Sequence, residues 1–335
     1  MPNDKKIGIV GAGSWGWAIA HIIERKEKGR TIIWARNKEV VHSINQKGVN
    51  PKRFSDFPLK IRATDELEEI FSECEIVFIA VPTSAFREVI KSSSKYIQGD
   101  HIIISTSKGL ERGTFKRMTE IIKEETCCKK VGVISGPNLA AEIINGDPSG
   151  AVVASLIREV QEKVYQNLHS PFFRVYMSYD VVGVELGGAL KNIYAIAAGI
   201  SDYLGFKMNT FSLLLSRAAS EMVRFGSKLG AKQETFFGLS GIGDLFATAS
   251  SDLSRNRRFG KLIAKGLSPQ DALKEIGEAV EGYPVTKAVY ELSEKLKIRM
   301  NIVRAIYNIL YTKKDIQSAI AELLSAEVRE EFPAD

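Results

Sequence analysis

Apolar positions along this chain follow two successive rhythms. In the first half, short apolar runs alternate with amphipathic stretches; in the second, apolar residues recur at helical spacing. The short runs predict strands at 5–10, 31–35, 75–81, 101–106, 131–135, 150–154 and 172–177. Helices between them imply an α/β fold, a Rossmann-like, doubly wound parallel sheet. Ser84 is expected to cap one of these helices, and 91–95, KSSSK, to end it. After Tyr179-Asp180 the pattern predicts helices at 181–204, 209–229, 234–237, 258–265, 269–276, 284–296, 301–310 and near 314–325. The expected division is a dinucleotide-binding domain over 1–180 and an all-helical domain over 181–335, which a chain of 335 residues can hold.

The stretch Val181 to Ser201, VVGVELGGALKNIYAIAAGIS, reads as a buried helix with one lysine in its middle, Lys191, the only charged side chain between Glu185 and Asp202. A buried ammonium is costly, so this lysine is paired with a carboxylate or held near neutrality by a lowered pKa. Gly187 and Gly188 weaken the helix by roughly 1 kcal/mol each. They leave a bare patch beside the lysine for a ligand or another backbone, and Asn192 adds a neutral hydrogen-bonding group.

The first strand runs directly into Gly11-Ala12-Gly13-Ser14-Trp15-Gly16 and then an apolar helix. This G-x-G-x-x-G, in strand–turn–helix context, marks a dinucleotide site: its glycines permit a tight turn, and the helix N-terminus receives a diphosphate. At the end of the second strand stands Arg36, where an NAD enzyme commonly carries an acid for the ribose hydroxyls. An arginine there pairs with a 2′-phosphate, so NADPH is the expected preference over NADH; stacking on adenine is the alternative. Lys108 and Asn138 fall at strand ends, where ligands sit in such sheets, although a strand-end lysine also reads as a solvated loop charge.

In the helical half, Gly238-Leu-Ser-Gly-Ile-Gly-Asp244 crowds glycines around one aspartate. Asp244 has two readings, the ion partner of Lys191 or a helix cap. Ser254-Arg255-Asn256 offers a hydroxyl, a guanidinium fork and an amide within three residues, a set suited to a phosphate monoester; a basic surface turn is the alternative. Glu281 is another acid bounded by glycine.

Composition excludes more than it adds. With 44% hydrophobic and 26% charged residues the chain reads as an ordinary globular protein, and a net charge of +6 suits small anions rather than nucleic acid. The three cysteines and four histidines lack metal-ligand or disulfide spacing, so no metal is expected. The N-terminus has no signal-peptide pattern, and no run of about 18 apolar residues lacks a charge, so a cytoplasmic protein without a membrane span is expected.

Taken together, GAGSWG (11–16), SKGLE (107–111), SGPN-LA-E (135–142), VELGGALKN (184–192), GLSGIGDL with Thr248, SRNRRFG (254–260) and EGYPVT (281–286) resemble bacterial-type NAD(P)-dependent glycerol-3-phosphate dehydrogenase, in family order along nearly the whole chain. The resemblance implies NAD(P)H-dependent, reversible reduction of dihydroxyacetone phosphate to glycerol 3-phosphate, supplying phospholipid synthesis, by a cytoplasmic homodimer. It implies Lys191 as general acid/base, assisted by Lys108, Asp244 and Thr248. Arg255 and Asn256, with Ser254, would hold the substrate phosphate, and Gly136 and Asn138 would line the substrate site. Besides Gly11, Gly13 and Gly16, the positions Ser14, Trp15, Arg36, Phe54, Ala140, Ala279 and Glu281 match cofactor contacts, as do Lys108 and Arg255. Cationic side chains would take the place of a metal.

Two positions and one loop depart from the family pattern. Trp17 stands where a small residue is usual, which implies different packing on the cofactor side; Ala249 replaces a common cysteine; and the loop 50–58 matches loosely. The rival enzymes are β-hydroxyacid dehydrogenases and ketopantoate reductases, which act on carboxylates, and the rival outside enzymes is a nucleotide sensor that has lost its chemistry. The phosphate-suited SRNRR group argues against the first; Lys191, Lys108 and Asp244 together argue against the second.

Overall fold

The computed structural model describes residues 6–325; Lys5, expected in the first strand, and the rest of 1–5 and 326–335 lie outside the described residues. Among the described residues there are eight strands: β1 (Lys6–Val10), β2 (Thr31–Trp34), β3 (Arg62–Thr64), β4 (Cys74–Ile79), β5 (Ile102–Ser105), β6 (Lys130–Ser135), β7 (Ser149–Ala154) and β8 (Phe173–Ser178). Helices α1 (Ser14–Lys26), α2 (Lys38–Lys47), α3 (Leu67–Glu73), α4 (Thr83–Ser93), α5 (Met118–Glu125), α6 (Ala140–Asn145) and α7 (Arg158–Leu168) lie between them. All later elements are helical: α8 (Val181–Tyr203), α9 (Met208–Lys228), α10 (Gln233–Phe236), α11 (Asp244–Ser250), α12 (Arg255–Ala264), α13 (Pro269–Ile276), α14 (Gly282–Lys295), α15 (Asn301–Tyr311) and α16 (Ile316–Ser325).

The strands form one sheet, in the order β3-β2-β1-β4-β5-β6-β7-β8. The chain runs outward from β1 in one direction and then from β4 in the other, as in a doubly wound sheet, and places the strand-order reversal beside the glycine turn. The central strands are apolar on both faces because helices cover both, which is why they appear as continuous runs of Ile and Val.

The expectation of a wholly parallel sheet is corrected at one pair: β7 runs antiparallel to β6, while every other neighbouring pair is parallel. A parallel partner needs a crossover across the face of the sheet. Here the chain after β6 turns back on itself instead. Asn138 Nδ2 donates to the Gly150 carbonyl at 3.0 Å, and Ser149 Oγ to the Pro137 carbonyl at 3.0 Å. A Cβ on Gly136 would lie 2.7 Å from the Gly150 oxygen, so glycine lets the two arms of the reversal touch.

Other differences are local. The edge strand β3 has only three residues and no periodicity to announce it. Helix α4 opens at Thr83 behind Pro82, with no side-chain cap, so Ser84 does not fill that role. Ser254 caps α12 by accepting from Arg257 N, so that helix begins earlier than expected, and α14 opens at Gly282 ahead of Pro284.

Helix α8 is 23 residues long and apolar enough to cross a membrane, yet 89% of its most apolar window is buried inside the protein. Helices α9, α11, α12 and α14 pack around it, and its first turns lean on β6. Its glycines set the spacing. A Cβ at Gly187 would lie 2.4 Å from the Ser240 carbonyl oxygen, and one at Gly199 would lie 2.0 Å from that of Arg257. From the other side, a Cβ on Gly260 of α12 would meet the Ile196 oxygen at 2.1 Å. The helix that bears the lone lysine is thus the axis of the helical half.

Candidate active site

The glycine turn has the shape its spacing predicts. Gly11 sits at φ +120°, in the region that favours glycine, and a Cβ on Gly16 would lie 1.9 Å from the Gly11 carbonyl oxygen. Helix α1 can therefore start directly against β1. Gly13, by contrast, has nothing within 4 Å of its Cβ direction, so its face is open to an approaching ligand. Behind the turn, Trp17 is fully buried and meets His21 edge-on at 5.9 Å, and His21 Nε2 donates to the Phe57 carbonyl at 3.2 Å. Burial lowers the His21 pKa to about 4, so the ring stays neutral. Trp17 thus packs against His21, and it is His21 that ties α1 to the 50–58 loop.

A cavity of about 450 Å³ opens from this turn along the carboxyl ends of the strands toward α8, α11 and α12. It is lined by Gly13, Ser14, Trp15, Phe54, Lys108, Asn138, Ala140, Lys191, Thr248, Ser254, Arg255, Asn256, Ala279 and Glu281, all singled out from the sequence. Gly11 and Gly16 lie within the turn beneath it. Gly136 and Asp244 stand behind the lining, where each binds a lysine. Arg36 is exposed just beyond β2 and does not line the cavity. A larger, mostly apolar cavity of about 670 Å³ lies between α8, α9, α15 and α16 and holds none of the residues singled out.

At the closed end, one carboxylate joins two lysines. Lys191 Nζ donates to Asp244 Oδ1 at 2.7 Å and also to Thr248 Oγ1. Lys108 Nζ donates to Asp244 Oδ2 at 2.6 Å and to the Gly136 carbonyl at 2.8 Å. Of the two readings of Asp244, the ion partner of Lys191 holds and the helix cap does not: Asp244 is the first residue of α11, which has no side-chain cap, and its oxygens face the lysines. The wide single turn Leu239–Gly243 before it explains the crowded glycines, since a Cβ on Gly241 would lie 2.2 Å from the Phe236 carbonyl oxygen.

The charges at this end are not balanced. Burial is the largest influence on Lys191 and brings its pKa from 10.5 down to about 8; Asp244 pulls upward, while Lys108 and Arg255 push downward. Burial also pushes the Asp244 carboxyl up, but Lys108 and Lys191 outweigh it and hold it below the ordinary value. With two cations to one anion, the aspartate stays ionised, and Lys191 gives up its proton at about 8, well below an ordinary lysine.

Gly188 resolves the use of the bare patch on α8. A Cβ there would lie 2.6 Å from Ser135 Oγ and 3.3 Å from Lys108 Cγ, so the patch receives the stem of the second lysine. Asn192, one residue past Lys191, extends the order of the site by donating to the Lys108 carbonyl at 3.2 Å. Its oxygen accepts from Asn256 Nδ2 at 2.8 Å, and Asn256 Oδ1 accepts from Gly282 N at 2.9 Å. Beside Gly282, Glu281 accepts from the backbone N–H of Thr83 at 3.0 Å and from its hydroxyl, while burial pushes its carboxyl pKa up. Trp15 Nε1 and Asn138 Oδ1 are buried and have no hydrogen-bond partner among the described residues, so the cavity wall keeps a free donor and a free acceptor.

Sequence reasoning left Arg53, Arg258 and Glu278 out of the site, although all three line the cavity. Arg258 was visible within the SRNRR group. Arg53 and Glu278 lie in irregular loops, where no period indicates which way a side chain points.

Comparison with known proteins places the chain among close relatives. Residues 6–161 match the family model for the N-terminus of NAD-dependent glycerol-3-phosphate dehydrogenase, and residues 180–321 match the model for its C-terminus. The curated glycerol-3-phosphate dehydrogenase [NAD(P)+] of Halothermothrix orenii is 44% identical over 323 residues, covering 95% of this chain and 94% of the relative. The protein of the same name from Thermoanaerobacter sp. is 44% identical, with 98% and 99% covered. The crystal structure of glycerol-3-phosphate dehydrogenase from Coxiella burnetii superposes with a TM-score of 0.92 at 36% identity, covering 97% of this chain and 100% of that one.

Proposed function

The chain belongs to the NAD-dependent glycerol-3-phosphate dehydrogenase family, and on that premise we propose a role for each group in its site. It is an NAD(P)-dependent oxidoreductase that reduces dihydroxyacetone phosphate reversibly to glycerol 3-phosphate, with NADPH or NADH as reductant.

The glycine turn fits a dinucleotide. Its Gly13 face is open, helix α1 points its free N–H groups toward the cavity, and Trp15 keeps a free donor there. Gly11, Gly13, Ser14, Trp15 and Gly16 would hold the cofactor near its diphosphate, with Phe54, Ala140, Ala279 and Glu281 along the cavity wall. The bound nicotinamide supplies the hydride. Lys191 donates its proton to the carbonyl oxygen of the substrate as negative charge grows there; in the reverse direction neutral Lys191 takes the hydroxyl proton. Asp244 and Thr248 aim the ammonium, and Lys108 adds a second positive charge to the same end of the cavity. Arg255, with Asn256 and Ser254, holds the substrate phosphate, and Gly136 and Asn138 close the substrate side. The observation that carries this reading is a buried lysine, lowered to about 8, that opens onto a cavity with a phosphate-suited arginine.

Arg36 supports a preference for NADPH, since it is exposed at the carboxyl end of β2 where no acid competes for a ribose hydroxyl. The resemblance also supports a cytoplasmic homodimer that feeds phospholipid synthesis. Oxidation of NADPH and NADH with dihydroxyacetone phosphate, beside unphosphorylated dihydroxyacetone, tests the assignment. Turnover that requires the phosphate and is lost in Arg255→Ala is expected; equal turnover of the two ketones would reject the role of Arg255.

A further inference from the structure

Two arginines from distant parts of the chain converge on one carboxylate oxygen at the mouth of the cavity. Arg255 Nη1 donates to Glu278 Oε2 at 3.4 Å, and Arg53 Nη2 lies 3.2 Å from the same oxygen. Arg53 belongs to the loop after α2, Arg255 opens α12, and Glu278 stands between α13 and α14; all three line the cavity. Two guanidiniums this close repel each other unless an anion lies between them. The anion in place binds them weakly: the three side chains are 32%, 40% and 26% exposed, at distances long for a charged pair. A phosphate, with several oxygens matched to the guanidinium fork, is the better partner for both.

We propose that Glu278 is a stand-in anion, whose carboxylate occupies the seat between Arg53 and Arg255 that a ligand phosphate takes, and that Arg53 is a further specificity-determining cation for that phosphate. The inference rests on the phosphate-binding role of Arg255. Glu278 keeps both guanidiniums aimed at the seat, and by competing for it speeds release of the ligand. The substrate's monoester and the cofactor's phosphates offer the same chemistry. Arg53 adjoins Phe54 on the cofactor side, and Arg255 adjoins Asn256 on the substrate side.

The test compares the full-length enzyme with its Glu278→Gln, Arg53→Ala and Arg255→Ala variants. Inorganic phosphate, as an inhibitor competitive with dihydroxyacetone phosphate, probes the substrate arm; NADPH affinity by fluorescence without substrate probes the cofactor arm. Removing the competing charge in Glu278→Gln tightens one of the two by about two- to five-fold, the range a partly exposed pair permits. Tighter inorganic phosphate assigns the seat to the substrate, and tighter NADPH assigns it to the cofactor. Arg53→Ala weakens the same ligand. Damage to a loop does not tighten binding, and the thermal midpoint of each variant reports its folding. Glu278→Gln with both ligands unchanged or weaker overturns the proposal. Arg255→Ala without effect on either ligand overturns the role of Arg255, whatever Glu278→Gln does.

Discussion

Lys191 donates to one oxygen of Asp244 at 2.7 Å, and it does so as one of two lysines on that carboxylate. Because the ammonium holds its proton only up to a pH of about 8, kcat/KM for ketone reduction should be level below that pH and fall about tenfold per unit above it. Oxidation of glycerol 3-phosphate needs the neutral amine and should rise through the same pH. Asp244→Asn removes the charge that favours the ammonium, so the alkaline limb should move to lower pH. A limb that stays in place would assign it to another group.

Stability should follow the same group with a defined sign. Between about 8 and 10.5 the unfolded chain holds a proton on Lys191 that the folded chain has released. The contribution of this lysine to stability therefore rises with pH across that window, and is lowest below it. Denaturant midpoints of wild type and Lys191→Met should differ most below pH 8 and converge above it.

Lys191→Ala should lower turnover by roughly 10²–10⁴-fold, the usual worth of a positioned acid or base. NADPH affinity should change little, because the cofactor glycines stand on a separate element. Turnover within a few-fold of wild type would remove Lys191 from the acid/base role.

Arg36→Asp should move the preference from NADPH toward NADH, read as the ratio of kcat/KM values. A charge-assisted bond is worth about 1.5–3 kcal/mol, so a ten- to hundred-fold change in that ratio is expected. An unchanged ratio would mean that Arg36 does not touch a 2′-phosphate.

Gly260→Ala would place a Cβ 2.1 Å from the Ile196 carbonyl oxygen, a backbone atom that cannot swing away. The gain in helix propensity, about 1 kcal/mol, is smaller than the cost of separating α8 from α12. A net loss of about 1–3 kcal/mol in chemical denaturation is expected, and a stabilised variant would show that the two helices do not cross this closely.

Arg117 and Thr119, at the start of α5, both bind the fully buried Glu185 of α8. Arg117→Ala leaves that carboxylate without its cation and should cost on the order of 3 kcal/mol. Burial already pushes the Glu185 pKa up, so the loss should shrink as falling pH protonates the acid. A loss independent of pH would point to lost packing instead.

What the sequence made legible followed from rules with a fixed spacing. The glycines at 11, 13 and 16 can be read because a tight turn into a helix demands them at those intervals. Lys191 could be read because a lone lysine amid the apolar turns of a helix is costly without a partner. The reversal at β7 was hidden, since alternating strands and helices carry no mark of strand direction until the length of the crossover is known. Helix α11 was hidden by the glycines before it, whose wide turn has no helical period. The meeting of Arg53 with Glu278 depends on the paths of two irregular loops, and local sequence encodes neither path.

The buried ammonium lies on the helix around which α9, α11, α12 and α14 assemble. An apolar residue of similar volume at 191 would relieve a buried charge, while Lys108 would remain as the cation of Asp244, so the carboxylate would not be left unpaired. Selection for heat resistance alone would therefore discard the lysine, and selection for turnover would keep it. In this chain the two pressures meet at one residue, so evolved thermostability would have to be sought among the outer helices, away from α8.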